Sequence, residues 1–405
     1  MSRDGAILAF LAGSAFERAR IEPLAQDASF RRYWRLSEGP SPAVLMDAPP
    51  PEDVRPFLRI AAHLEAIGLS VPRVFKADTE AGFVLEEDLG DGLLSVIFDG
   101  ETASGLDAQA PETTPPPPLR GRAGVGGDRG TDWGGSTPPP IPLPQGEGGQ
   151  DQTNPLPQRE GGQDRTNPLP QREGGQEPAT LLHAATDALV VLQRAAPPPG
   201  LPAWTAQPMA ETALGTLFDW WWPAAFGAPA PDAARAEVAA ALHTILAPLT
   251  TGPRCFVHRD FFAGNLLSLP NRTGPRAIGI IDFQGAAIGH PAYDLVSLLQ
   301  DARRDIPPAI AADVLARYLA LRPELDPAAF RAAYAACAAQ RHLRVACQWV
   351  RLALRDNRPN YLAYGPRTWA LLAQMLTDPA VAPLARALDH WIPAEKRGNP
   401  PGLPA

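Results

Sequence analysis

The stretch that decides the fold is "CFVHRDFFAGNLL", residues 255–267, where a His, an Arg, an Asp and an Asn fall within eight positions between apolar flanks. Such a polar cluster is either an ordinary turn after a buried strand or a loop that holds a proton acceptor beside a metal ion. A second strand-like run downstream, "AIGIIDF" (277–283), ends in Asp282, seventeen residues after Asn265. Taken together, His258-Arg259-Asp260, Asn265 and Asp282-Phe283 have the order and spacing H-R-D-x-x-x-x-N followed by D-F-x. A lone H-R-D or D-F arises by chance. Both in order, each after an apolar run, point to phosphoryl transfer.

The chemistry explains why these residue types are needed. Transfer of a γ-phosphoryl group asks the protein for positioning and charge neutralisation more than for covalent chemistry. Magnesium takes hard oxygen ligands, which Asp282 and Asn265 supply, while Asp260 is placed to orient an acceptor hydroxyl and take its proton. A P-loop mechanism is excluded, because G-x-x-x-x-G-K-[ST] is absent.

Composition narrows the partners. The 405 residues, 45% hydrophobic and 20% charged, suit a folded enzyme, and the formal charge of −8 argues against nucleic acid. The three cysteines (255, 337, 347) form no metal or disulfide pattern, so a cytoplasmic protein is expected. "AILAFLAGSAF" near the start reads as an amphipathic helix, since Ile7, Phe10 and Leu11 share one face. No apolar run is long enough to span a bilayer.

Between Asp107 and Pro178 the chain holds 15 Pro and 14 Gly in 72 residues, with a 13-residue unit repeated as "PLPQGEGGQDQTN", "PLPQREGGQDRTN" and "PLPQREGGQEP". With no apolar face to bury, this segment is expected to be a disordered insertion. Before it, "RRYWRLS" (31–37) and "AVLMDA" (43–48) predict a hairpin, 54–68 a helix stopped at Gly68, and "VPRVFKAD" and "GFVLEEDLG" two more strands. After it, 179–195, 233–249 and 328–355 read as helices. The expected division is a nucleotide-binding lobe over 1–100, the insertion over 107–178, and a helical lobe over 179–405.

"FVHRDFFAGNLL" with "IIDFQGAAIGHPAYDL" resembles the aminoglycoside phosphotransferase/choline kinase superfamily, across residues 20–100 and 179–370. That resemblance implies an α+β, bilobed, protein-kinase-like fold with a small antiparallel-sheet lobe and a mainly helical one. It implies Asp260 as the catalytic base, Asn265 and Asp282 as magnesium ligands, and His258, Arg259 and Asp294 as supports of the catalytic loop. ATP would be clamped by a turn at Ser29 and Phe30 and by a hinge from Glu87 to Leu89. The lysine such kinases carry on the third strand is missing: only Lys76 and Lys396 exist, and neither lies on "AVLMDAPP". Arg32 is the expected substitute, with Arg31 and Arg35 as alternatives.

Only eleven residues separate Asp282 from Asp294, too few for a protein kinase's activation segment, which argues for a small-molecule acceptor. "DASFRRYWRL", "LMDAPP", "IIDFQGAAIGHPAYDLVSLLQDARRDI" and "LALRDNRPNYLAYGPRTW" are similar to the bacterial kinases that phosphorylate N-acetylmuramate and N-acetylglucosamine at C1. The resemblance implies ATP and Mg2+ as cofactors and a sugar 1-phosphate product feeding cell-wall recycling, with a monomer free of membrane and nucleic acid. Gln284, Asp301, Arg304 and Tyr361 are candidate sugar contacts, whereas Trp220–Trp222 read more simply as helix packing. The alternatives are a same-fold kinase for an aminoglycoside, choline or homoserine, and a non-catalytic nucleotide-binding scaffold.

Overall fold

Side-chain alternation along short strands organises the first lobe. In the computed structural model, which describes residues 3–24, 31–99 and 178–403, the chain opens with α1 (Arg3–Leu11) and continues through β1 (Arg20–Pro23), β2 (Arg32–Ser37), β3 (Ala43–Asp47), α2 (Arg55–Ala66), β4 (Val74–Asp78), β5 (Phe83–Glu87) and α3 (Leu94–Asp99). The sheet runs β1-β2-β3-β5-β4, every pairing antiparallel. One face carries Leu36, Leu45, Phe83 and Leu85 against Ile7, Phe10 and Leu11 of α1. The other carries Met46 and Val84 toward Phe57, Ile60 and Leu64 of α2. Beyond α2, Gly68 takes φ +84°, a left-handed stop that a side chain would strain. The strand β1 had no sequence signal, being four residues of mixed character.

The second lobe is built on helices. It comprises α4 (Pro178–Arg194), β6 (Ala203–Trp204), α5 (Ala206–Thr216), α6 (Trp222–Phe226), α7 (Asp232–Thr251), β7 (Cys255–Val257), β8 (Leu266–Ser268), β9 (Ile278–Ile280), β10 (Ala287–Gly289), α8 (Ala292–Leu299), α9 (Pro308–Leu321), α10 (Pro327–Arg355), α11 (Gly365–Met375) and α12 (Ala382–Trp391). The 29-residue α10 is the axis of the lobe; Asp326 caps it by accepting the Ala329 N–H at 2.7 Å. Two small β elements, β6-β10-β7 and the β8-β9 hairpin, carry the polar loops. Trp221 and Trp222 are buried, with the Trp221 indole donating to the Gly398 carbonyl at 2.8 Å, which is the packing role expected of them.

The described residues form one compact unit. The repeat insertion, Ser29 and Phe30 lie outside the described residues. Among those described, no helix is long and apolar enough to cross a membrane.

Candidate active site

The loop after β7 is fixed by a single buried carboxylate. Asp294, in the first turn of α8 and wholly inaccessible, accepts the His258 N–H at 2.7 Å and the Arg259 N–H at 2.9 Å. Burial pushes its pKa up to about 6, against the pull of His258 and the two backbone N–H groups. Those bonds hold Arg259 at φ +76°, a left-handed conformation uncommon outside glycine. Its carbonyl accepts from Arg341 at 3.1 Å, and its guanidinium lies 4.0 Å above Trp204 and donates to the Gly285 carbonyl. The His258 ring bridges the two polar loops: Nε2 lies 3.0 Å from the Ile281 carbonyl, and Nδ1 accepts the Asp260 N–H at 3.3 Å. That pairing assigns the proton to Nε2 in the neutral ring.

The trio singled out by spacing converges here. The Asn265 side-chain nitrogen donates to the Asp260 carbonyl at 2.9 Å and sits 3.5 Å from Asp282 Oδ2. With the nitrogen so committed, the amide oxygen takes no hydrogen bond among the described residues. Asp282 stands at φ +61° and accepts from Gln284 at 2.6 Å. Burial raises its pKa; the Gln284 bond and His258 oppose this, while Asp260 adds to it. The Asp260 side chain is half-exposed, at 51%. Desolvation raises its pKa, but Arg341, Arg344, His258 and Arg259 together outweigh it and hold the carboxyl below its usual value. The nearest of these, Arg341 Nη1, is 3.6 Å from Asp260 Oδ1. Among the described residues no three His, Cys, Asp or Glu side chains cluster as a metal site. One carboxylate and one amide oxygen fit a hard cation that draws its other ligands from phosphate and water, as Mg2+ does.

In the first lobe, strand register sets which way the arginines face. Arg32 pairs with Asp47 on the α1 face of the sheet, donating to its Oδ2 at 2.7 Å, and Arg3 binds the same carboxylate. Arg32 is therefore turned away from the polar loops. Arg31 and Tyr33 take the opposite face, where both exert charge effects within the Asp282 neighbourhood. Arg31 pairs with Glu52 at 3.2 Å. Arg35 is bound to Asp88 and Asp91. On β3 the buried Met46 lies opposite Tyr33. Beside Arg31, Glu86 is buried and its pKa is pushed up to about 8 by desolvation, with Arg31 opposing. At the hinge, the N–H groups of Glu87 and Asp88 already bond to Arg73 and Pro42. Of the three expected hinge residues only Leu89 keeps an uncommitted N–H among the described residues. Leu89 closes over Gly279, where a Cβ would meet its Cδ1 at 2.9 Å. Cavities of about 340 and 250 Å³ flank Glu87, and neither reaches Asp260 or Asp282.

The family model described as "Phosphotransferase enzyme family" matches residues 20–116 and 136–332. The chain belongs to this family. An N-acetylmuramate/N-acetylglucosamine kinase of Caulobacter vibrioides is 31% identical, covering 98% of each chain, and one of Pseudomonas aeruginosa is 28% identical, covering 87% of this chain and 83% of the relative. Among solved structures, a choline/ethanolamine kinase family protein from Mesorhizobium loti superimposes with a TM-score of 0.52 at 13% identity, covering 96% of this chain and all of that one. Choline kinase LicA from Streptococcus pneumoniae does so with a TM-score of 0.52 at 11%, covering 92% and 99%. The phosphotransferase thus has the bilobed protein-kinase-like fold.

Beyond Asp260, the phosphotransferase departs from the expected acceptor residues. Arg304 is bound to Asp301 at 2.7 Å and doubly to Asp99 of α3, and the Asp301 carbonyl accepts from Arg367. Asp301 and Arg304 therefore tie α3 to the helical lobe and present no open polar fork to a sugar. Gln284 is held on Asp282, and Tyr361 stacks on Trp349 with centroids 5.4 Å apart. Arg303, beside Arg304 in "QDARRD", lies with its guanidinium 4.6 Å over Phe262 of the loop after β7 and 5.4 Å over Trp349. The expected residues did not include Arg341 and Arg344 of α10. Their spacing with Arg351, three and then seven residues on, was the available signal, since it puts all three on one helix face.

Proposed function

We propose that this phosphotransferase transfers the γ-phosphoryl of ATP, with Mg2+, to the anomeric hydroxyl of N-acetylmuramate and N-acetylglucosamine, giving the sugar 1-phosphate. What carries the phosphoryl-transfer reading is the meeting of Asp260, Asn265 and Asp282 around one point, with Asp294 bracing the loop between them. The choice of acceptor is supported by the Caulobacter relative, which matches this chain end to end.

Asp260 orients the anomeric hydroxyl and takes its proton as the bond to phosphorus forms. Four flanking cationic or ring groups hold this carboxyl ionised, and the acceptor suits so weak a base, because an anomeric hydroxyl is more acidic than an ordinary alcohol. Asn265 and Asp282 hold the metal through their oxygens. Bound there, Mg2+ would neutralise charge on the transferring phosphoryl group. Arg31, immediately before β2, would reach the phosphates in the role a third-strand lysine fills elsewhere. Leu89 bounds the adenine site. A reaction drawing on ATP fits the cytoplasm.

ADP release with Mg2+-ATP and a panel of N-acetylmuramate, N-acetylglucosamine, choline and kanamycin tests the reading. Turnover with the two amino sugars is expected, with loss of the reducing end in the product. Asp260→Asn should lower kcat by roughly 10²–10⁴-fold. Turnover confined to choline or kanamycin would overturn the acceptor assignment. ATP binding with no turnover of any acceptor would leave the scaffold reading.

A further inference from the structure

One face of α10 leads away from Asp260 as a row of arginines: Arg341, Arg344, Arg351 and Arg355. Arg341 is engaged with the Arg259 carbonyl and Asp260, and Arg355 with Asp356. The two between them are different. Arg344 makes one side-chain hydrogen bond, to Gln348 at 3.2 Å, and its Nε is buried without a partner. Arg351 forms no hydrogen bond or ion pair among the described residues, and its Nε is likewise buried and unpaired. Neither has a carboxylate hydrogen-bonded or ion-paired to it among the described residues, and Arg351 feels the charge of Arg344.

Partly desolvated like charges side by side are costly unless an anion joins them, and a guanidinium fork matches a carboxylate through two parallel N–H···O bonds. Burial, Arg355 and Arg344 depress the Arg351 pKa, and Asp356 offsets them only in part. The position separates two anion sources. Arg344 ranks among the charges acting most strongly on Asp260, whereas those acting on Asp282 are His258, Asp260 and Arg31. The nucleotide phosphates belong beside Asp282; Arg344 lies beside the acceptor's base. The two proposed acceptors differ by one ionised group, the lactyl carboxylate of N-acetylmuramate.

We propose that Arg344 and Arg351 form a carboxylate subsite on α10 that binds the lactyl group of N-acetylmuramate and sets its preference over N-acetylglucosamine. This rests on the amino sugar reading above.

The test is the ratio of kcat/KM for N-acetylmuramate to that for N-acetylglucosamine. Loss of a charge-assisted pair should cut this ratio by about 10–100-fold in Arg351→Gln. Arg351→Lys should restore part of it. With the wild-type enzyme, the methyl ester of N-acetylmuramate should show a loss comparable to that of Arg351→Gln, without depending on any variant's folding. In Arg351→Gln the ester should behave like the free acid. A ratio unmoved in both the variant and the ester experiment would overturn the subsite while leaving the amino sugar kinase reading intact. An equal fall for both acceptors, or a rise confined to KM for ATP, would equally overturn it, by marking a structural or phosphate-binding role. Absence of wild-type turnover with either sugar would refute the underlying function and the subsite with it.

Discussion

Replacing Asp294 by Asn keeps the shape of the brace and removes its charge, and the structure sets two opposing terms of similar size. The pKa displacement from 3.8 to about 6 means that the ionised carboxylate costs ~3 kcal/mol relative to its neutral form when buried, at about 1.36 kcal/mol per unit. A neutral amide removes that cost. That figure already includes the two N–H bonds to the carboxylate; the amide, unlike a neutral acid, has only one oxygen for the N–H groups at 2.7 and 2.9 Å, so one buried N–H is left unpaired at a cost of ~1.5–3 kcal/mol. Stability should therefore change little, with Tm moving by no more than roughly 3 °C. Activity should not survive so well. Releasing His258 or Arg259 frees a residue held at φ +76° immediately before Asp260, and the same 1.5–3 kcal/mol felt in the transition state is about a 10–100-fold fall in kcat. Asp294→Ala provides the contrast: both N–H groups lose their partner, and ~2–6 kcal/mol of destabilisation should appear as a clear drop in Tm. Thermal denaturation alongside ADP-release kinetics reads both. An Asn variant within about threefold of wild-type kcat, or an Ala variant with an unchanged Tm, would show that Asp294 does not hold the loop.

Arg31→Gln should raise KM for ATP by roughly tenfold, the value of one charged hydrogen bond, while Arg32→Gln leaves that KM unchanged and lowers Tm through loss of its tie to Asp47; equal effects on KM would reject the facing assigned to the two. Glu86 binds a proton more tightly folded than unfolded, so its contribution is largest below pH 4.5 and is lost as pH rises toward about 8. Glu86→Gln should flatten the decline of Tm between about pH 5 and 8, and a variant that declines as steeply as wild type would refute the assignment.

The features that chemistry dictates were legible in the chain. Metal and proton handling demand particular side chains in a fixed order, so Asp260, Asn265 and Asp282 were recognisable, and Asp294 with them. Long periodic segments were equally readable: the helices expected over 179–195 and 328–355 run from Pro178 to Arg194 and from Pro327 to Arg355. The four-residue β1 carries too little pattern to detect. The facing of Arg32 was not legible because adjacent strand residues face opposite ways, and their direction depends on pairing with β3 and on α1 covering the far side. The tie of Arg304 to Asp99 was not legible because Asp99 lies 205 residues away along the chain.

What the sequence by itself determined is which residues are candidates for the reacting groups, because a reaction constrains residue identity at close spacing. What only the tertiary structure decided is which cations are already neutralised and which remain open. Arg32, Arg35 and Arg304 are satisfied by carboxylates brought to them by folding, while Arg344 and Arg351 are left facing one another on α10. Electrostatic pairing depends on distance through space, and a sequence records only distance along the chain.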